Sequence, residues 1–356
     1  MDTSLVSWIK NTSRPFVIAG PCSIETEERT HQVITDLKAE GKTQLLRAGI
    51  WKPRTRPDSF EGIGEKGLPW LSEAAKNNEL PFSLEVANAK HVEIALRYGA
   101  DVLWIGARTT VNPFAVQEIA DSLRGTTVPV MIKNPINPDL NLWIGAFERL
   151  QQAGLTDLVA IHRGFSVYKH DTYRNVPTWE IPIALKQELT DIPLICDPSH
   201  IAGRTDLLLE VSQKAMDLNY NGLMIETHPD PTLAWSDVKQ QITTGSLTQL
   251  LNALVLRSNV MEHRSFEELD TFRKQVNALD CELFDILVKR MNISEEIGRF
   301  KKEHNITILQ EEHWKKLLDS RLQMANELNL SNDFIRSVLD AIHLESITRQ
   351  ISVMNK

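Results

Sequence analysis

Eight short apolar runs constrain this chain more than any other feature. They occupy residues 15–22, 44–49, 81–86, 101–107, 129–134, 157–164, 193–200 and 222–228. Each is rich in Val, Ile, Leu or Phe, and too apolar throughout to keep one face in water. Most of the intervals between them read as helix. Eightfold strand–helix alternation, with strands buried on both faces, predicts an α/β fold: a (β/α)8 TIM barrel inside a helical jacket. Such barrels carry their chemistry at the C-terminal ends of the strands. The ends of these runs hold Cys22, Arg47, Arg108, Lys133, Arg163, His200 and Glu226. Seven polar or metal-binding residues gathered at strand ends point to a functional mouth.

A chain of 356 residues has room for such a barrel plus one smaller unit. None of its apolar runs approaches the roughly 20 residues that a membrane helix needs. Residues 1–13 mix acidic, basic and polar groups without the apolar core of a signal peptide. These features predict a cytoplasmic protein with no membrane partner. The first run begins near residue 15, which leaves no space for an accessory domain before it. Three widely spaced cysteines, Cys22, Cys196 and Cys281, predict reduced thiols rather than a disulfide framework. A net charge of −8 argues against nucleic acid. It does not argue against small anions, because a local cluster of cations can dominate a cleft.

Helices are expected over residues 25–39, 71–78, 91–98, 113–123, 143–153, 205–216, 237–243 and 246–261. Loops fall at 52–67, 134–141 and 162–177, after the second, fifth and sixth runs, where a barrel enzyme builds its site. The pattern changes at about residue 262. From Ser265 onward there is no proline and only one glycine, Gly298. Ser265 and Glu268 form a capping box. An unbroken helical pattern then runs to about His304, with apolar positions at three- and four-residue steps. Such a helix is about 60 Å long, too long for one small domain to cover. Two shorter amphipathic helices follow at 314–329 and 333–353. The expected organisation is a barrel over 1–261 and an all-α three-helix unit over 262–356, the latter completed by a second copy of itself.

Two groups of residues carry the barrel's expected chemistry. Cys22, His200, Glu226 and Asp237 supply a thiolate, an imidazole and two carboxylates, which are ligand types for a divalent transition metal. Taken singly, Cys22 also reads as a buried thiol and His200 as a core histidine. The four together, beside so many cations, favour a metal centre. Those cations are Arg47, Lys52, Arg54, Arg108, Lys133 and Arg163. A chain of net negative charge that places cations after four of its strands suits a substrate bearing phosphate or carboxylate.

The stretches Ala19-Gly-Pro-Cys22-Ser-Ile-Glu25, Arg47-x4-Lys52-Pro-Arg-Thr55, Ile105-Gly-Ala-Arg108, His162-Arg-Gly164, Asp197-Pro-Ser-His200 and Glu226-x-His-Pro229 carry a resemblance. Over about residues 10–260 the chain resembles type I 3-deoxy-D-arabino-heptulosonate 7-phosphate (DAHP) synthases, most closely their shorter, beta subgroup. The resemblance implies condensation of phosphoenolpyruvate with erythrose 4-phosphate, with a divalent ion (Mn, Co, Fe or Zn) on Cys22, His200, Glu226 and Asp237. By position, Arg47, Lys52, Arg108, Lys133, Arg163 and His200 would surround phosphoenolpyruvate, with Lys52, Lys133 and His200 catalytic. Arg54 and Thr55 would hold the sugar phosphate. The ion would act as a Lewis acid on the aldehyde, and preset cations would stabilise charge developing on oxygen. The sister 3-deoxy-D-manno-octulosonate 8-phosphate synthases share half of the motifs, and Pro53, Arg54 and Thr55 separate the two. Three positions depart from the family pattern. His162 stands where Glu is usual, Asn134-Pro135 follows Lys133, and Arg56 replaces a small residue.

Residues 265–356 resemble the all-helical chorismate mutases through Arg273-x6-Asp280, Lys289-Arg290, Gly298-x2-Lys301 and Ser346-x3-Gln350. Arg290 and Lys301 share one helix face about 16 Å apart, so both reach a single small dicarboxylate. Arg273 lies roughly 25 Å from Arg290 along the helix and must come from a partner chain if it binds the same molecule. The resemblance implies an entwined homodimer that rearranges chorismate to prephenate. Lys301 and Gln350 would face the ether oxygen, Arg273 and Arg290 would hold carboxylates, and Ser346 would line the site. Gln310, His313 and Trp314 occupy the stretch where the family has an Arg-Glu pair, with His313 expected to stand in for the Arg. The fusion suggests feedback on the barrel by prephenate or chorismate. The alternative is a synthase carrying a non-catalytic helical sensor or dimerisation module.

Overall fold

The computed structural model describes residues 4–53, 58–168, 172–257 and 263–355. The chain divides into two compact units, residues 1–259 and 260–356. In the first, eight parallel strands close into a barrel in sequence order. They are β1 (Phe16–Gly20), β2 (Leu45–Ala48), β3 (Phe82–Val86), β4 (Val102–Ile105), β5 (Val130–Lys133), β6 (Leu158–His162), β7 (Leu194–Cys196) and β8 (Gly222–Glu226). Pairing of β1 with β8, from Phe16 opposite Gly222 to Gly20 opposite Glu226, closes the ring. Gly20 is required on the other side of β1, where β2 approaches. Its φ is +152°, and a Cβ there would lie 2.1 Å from the Arg47 carbonyl oxygen.

The strands are buried on both faces, and the period of two sorts their side chains into two cores. Phe16, Ile18, Leu45, Val102, Trp104, Met131, Val159, Ile161, Ile195 and Met224 fill the interior. Val17, Ala19, Leu46, Leu84, Leu103, Ile132, Ala160 and Leu223 meet the jacket. That jacket comprises α2 (Glu27–Glu40), α3 (Leu68–Asn77), α4 (Ala89–Arg97), α5 (Ala107–Thr110), α6 (Pro113–Ser122), α7 (Leu140–Gln152), α8 (Glu180–Glu188), α9 (Pro198–Ala202), α10 (Leu208–Asp217) and α11 (Thr244–Ala253), preceded in the chain by α1 (Leu5–Asn11).

The helix α1 was not anticipated from the sequence. It seals the barrel floor. Leu5 and Ile9 are buried within the interior core. The Asp157 carboxylate accepts from Leu5 N–H at 2.6 Å, Val6 N–H at 2.8 Å and the Ser4 hydroxyl at 2.9 Å, satisfying donors at the start of the helix. Three further expectations are corrected. No α-helix covers 237–243, because Asp237 takes a left-handed φ of 49° and only a 3-10 turn follows, at Val238–Gln240. The last jacket helix spans Thr244–Ala253 rather than 246–261. Strand β7 stops at Cys196, so His200 sits on α9. There Asp197 caps the turn through the His200 N–H, and Pro198 occupies its first position.

In the second unit, α12 (His263–Glu303) is a single helix of 41 residues, about 60 Å long. It is followed by α13 (Glu311–Glu327) and α14 (Asn332–Met354). The C-terminal half of α12 packs on α14 where Gly298 admits the Gln350 backbone; a Cβ there would lie 3.0 Å from Gln350 Cα. Nearer its N-terminus, α12 exposes Phe272, Val276, Leu279, Leu283, Phe284 and Ile286. Among the described residues of the unit, nothing covers that apolar surface.

Candidate active sites

Strand parity builds the barrel site. At the C-terminal ends, the inward positions change from apolar to charged: Arg47 on β2, Glu85 on β3, Lys133 on β5, Asp197 after β7 and Glu226 on β8. This charged layer rests on Trp104. The Arg47 guanidinium lies 5.5 Å and Lys133 Nζ 5.8 Å from its ring centre, within cation–π range. Charges so deeply buried need partners. Arg47 pairs with Glu226 at 3.0 Å, and Lys133 pairs with Asp197 at 2.8 Å. Burial opposes ionisation of both acids. The Arg47 charge, with Lys52, overcomes it for Glu226, and the His200 hydrogen bond, Lys133 and Arg47 overcome it for Asp197, so both stay below the usual carboxylate range.

Asp197 also accepts a hydrogen bond from His200 Nδ1–H, at 2.8 Å. That leaves His200 Nε2 with a free lone pair, 3.8 Å from Glu226 Oε1. Burial lowers the His200 pKa and keeps the ring neutral. Cys22 lies at the same end of the barrel. Its sulfur is 3.2 Å from Asp237 Oδ2 and 2.9 Å from Lys52 Nζ. Burial, and then the Glu226 charge, push the thiol up to about 12. The Arg174 guanidinium donates to Asp237 at 2.8 Å and to Gln240 Oε1 at 2.5 Å. Gln240 in turn donates to Glu226 Oε2 at 2.6 Å.

The structure therefore brings Cys22, His200, Glu226 and Asp237 to one end of the barrel as neighbours. Among the described residues, no three acidic, thiol or imidazole groups are already arrayed about a common point. The donors instead face Lys52, Arg174 and Gln240. The donor set still fits a divalent ion. Glu226 Oε1 is buried without an aligned hydrogen bond. A carboxylate orients His200 so that Nε2 is the bare nitrogen, as in metal-binding histidines. A buried neutral thiol between two carboxylates becomes a thiolate only beside strong positive charge.

Above this floor opens a cleft lined by Lys52, Pro53, Glu85, Ala107, Arg108, Lys133, Arg163, Arg174, His200 and Asp237. Arg108 is exposed at its rim. Arg163 is held by Asn175 Oδ1 at 2.7 Å, and its backbone N–H donates to Asn134 Oδ1 at 2.7 Å. The departure at Asn134 thus supports Arg163 from behind. The departure at His162 faces the jacket: Nε2–H donates to the Pro177 carbonyl at 2.7 Å, and Nδ1 accepts from the Tyr220 hydroxyl at 3.0 Å. Arg54, Thr55 and Arg56 lie outside the described residues. The sequence reading missed Arg174, Glu85, Asn175 and Gln240, and saw Asp197 only as part of a motif. The basic loop at 162–177 was the one signal for Arg174, and nothing local distinguishes Glu85 or Gln240 from ordinary surface residues.

In the helical unit, Arg290 donates to Ser346 Oγ at 2.5 Å, and Lys301 Nζ donates to the Ile308 carbonyl at 2.6 Å. Lys301, Ser346 and Gln350 are buried, and Gln350 Oε1 has no hydrogen-bond partner among the described residues. Burial lowers the pKa of both Arg290 and Lys301. Arg273 is exposed on the far half of α12. His313 is also exposed, whereas Trp314 turns inward and stacks on His343 with ring centres 3.8 Å apart.

An α/β barrel whose strand ends present buried cations, a free imidazole nitrogen and a thiol between carboxylates is an enzyme built for a phosphorylated or carboxylated substrate. Comparison with known proteins agrees. The DAHP synthetase I family model matches residues 8–263, and that of chorismate mutase type II matches residues 272–351. Phospho-2-dehydro-3-deoxyheptonate aldolase of Thermotoga maritima is 33% identical over 238 residues, 67% of this chain and 68% of its own. A 2-dehydro-3-deoxyphosphooctonate aldolase of Delftia acidovorans is 26% identical over 283 residues, 72% of this chain and 95% of its own. The crystal structure of the Thermotoga maritima DAHP synthase superposes with a TM-score of 0.61 at 30% identity, covering 67% of each chain. The chain belongs to the DAHP synthetase I family and carries a chorismate mutase domain C-terminal to its barrel in sequence, making it a bifunctional enzyme of aromatic biosynthesis.

Proposed function

We propose that the barrel joins phosphoenolpyruvate to erythrose 4-phosphate, and that the divalent ion it uses is held by Cys22, His200, Glu226 and Asp237. The observation that carries this reading is the His200 ring, held by Asp197 through Nδ1 with Nε2 3.8 Å from Glu226, at the same end of the barrel as the Cys22–Asp237 pair. When bound, the ion supplies Lewis acidity to the aldehyde substrate. The chain's own residues do the rest. Lys133, Arg163 and Arg108 offer their charges to the phosphate and carboxylate of phosphoenolpyruvate. A new bond joins its C3 to the aldehyde carbon, water adds at C2, and the C2–O bond to phosphate breaks. Lys52 Nζ, 2.9 Å from Cys22 Sγ, borders the ligand group and is placed to give a proton to the aldehyde oxygen. Fixed cations stabilise the charge that develops on oxygen without having to reorganise. Pro53-Arg54-Thr55 favours a four-carbon sugar phosphate over a five-carbon one.

The helical unit rearranges chorismate to prephenate as a homodimer, with the exposed apolar surface of α12 as the seam and Arg273 of each copy serving its partner's site. Arg290 and Lys301 hold the reactive conformer and offset charge on the breaking ether oxygen. Prephenate or chorismate bound there lowers the synthase rate. One set of assays tests these assignments. Chelated protein should lose synthase activity and regain it with Mn, Co, Fe or Zn added singly, with a four-carbon aldose phosphate preferred over a five-carbon one. Activity indifferent to chelation rejects the metal centre. Lys301→Ala should abolish mutase turnover and spare the synthase. A wild-type protein without mutase turnover instead makes the unit a sensor. Saturating prephenate without effect on the synthase removes the feedback.

A further inference from the structure

His343 on α14 is distinct from the mutase residues Arg273, Arg290, Lys301, Ser346 and Gln350. It lies on the same stripe of α14 as Ser346 and Gln350, at spacings of three and four residues. Its ring is clamped face to face by Trp314, at 3.8 Å and an interplanar angle of 10°. Its Nε2 is buried with no hydrogen-bond partner among the described residues. Burial, with Arg290 and Lys301 close enough to add to the effect against Asp340, depresses its pKa and keeps the ring neutral. A buried polar nitrogen left unpaired is costly. This one is held in place by an aromatic stack beside the two cations of the site.

Chorismate brings two carboxylates, an ether oxygen and one ring hydroxyl. Arginine and lysine suit the carboxylates and the ether, and the hydroxyl can donate to the bare nitrogen of a neutral imidazole. We infer that His343, oriented by Trp314, contacts the substrate in the mutase site and that its unpaired Nε2 accepts a hydrogen bond from the hydroxyl of chorismate. The inference rests on the reading of the helical unit as a mutase. His343 then sets specificity: a site built around a hydroxyl hydrogen bond discriminates against an analogue that cannot make it.

The test uses the full chain and three substitutions. His343→Phe keeps a ring for Trp314 to stack on but removes the nitrogen. His343→Gln restores a polar atom at similar reach. Lys301→Ala is the control for mutase turnover. Mutase kcat and KM are measured with chorismate and with an analogue whose hydroxyl is methylated. Wild type should prefer chorismate over the methyl ether by about tenfold to a hundredfold in kcat/KM, the value of one buried hydrogen bond. His343→Phe should lose a similar factor on chorismate and lose the preference, and His343→Gln should recover part of both. If Lys301→Ala silences wild-type turnover while His343→Phe retains full kcat/KM and full discrimination, the inference is overturned and the mutase reading stands. If wild type has no turnover, the mutase reading fails first, and the assignment of His343 falls with it.

Discussion

Replacing His162 with Gln isolates a pH-dependent part of the barrel's stability. The ring is fully buried among Trp179, Phe165 and Tyr220. Its Nε2–H donates to Pro177, and its Nδ1 accepts from Tyr220, so the neutral form is fully paired. Burial, only partly offset by the Pro177 carbonyl, holds its pKa down to about 3 against an ordinary 6.5. Between these values the unfolded chain binds a proton that the folded chain refuses. The neutral ring's contribution is therefore complete above pH 6.5 and drains away as the pH falls toward 3. From pH 7 to pH 5 the loss is about 2 kcal/mol. Denaturant unfolding followed by tryptophan fluorescence reads the barrel, because Trp314 is the only one of eight tryptophans outside it. Other groups titrate in the same window, so the quantity to compare is the difference between proteins. Wild type should lose about 2 kcal/mol more than His162→Gln between pH 7 and pH 5. Equal losses in the two would refute a buried, neutral imidazole at this position.

Three further outcomes are expected. Leu5→Ala should open a cavity in the barrel floor and cost about 2–5 kcal/mol in denaturant unfolding while the synthase KM values hold, and a loss below about 0.5 kcal/mol would mean that α1 does not seal the floor. Asp197→Asn strands buried Lys133 and releases the His200 ring. It should cost about 3–5 kcal/mol and most of the synthase activity, and an unchanged melting curve would count against the pair. Leu279→Arg places a charge on the exposed apolar surface of α12. It should turn a dimer into a monomer in sedimentation analysis, and a wild-type protein that is already monomeric would remove the proposed seam.

The barrel was legible because its strands are buried on both faces, which leaves continuous apolar runs separated at regular intervals. Boundaries were less legible where burial alone did not set them. The apolar run that begins at Pro193 ends at Cys196, and Asp197 and Pro198 start a helical turn that lifts His200 off the sheet. Residues 237–243 have helical composition, yet a left-handed Asp237 breaks them. Leu5 and Ile9 gave too short a pattern to announce a helix, and only the open barrel floor explains why one forms there. At the site, motif residues such as Arg47, Lys133 and Glu226 were visible at run ends. Arg174 and Gln240 were not, because their importance lies in reaching Asp237 and Glu226 across 63 and 14 residues of chain.

Local pattern alone determined the strand–helix alternation, the change of character near residue 262, and the overlong helix whose apolar face asks for a partner. These follow from periodicity, which neighbouring residues fix among themselves. Tertiary structure decided which charges share the barrel's inner layer, which ring nitrogen of His200 donates to Asp197, and which ring nitrogens stay unpaired. Those outcomes depend on dielectric burial and on distances between residues far apart in sequence, and no local pattern encodes them.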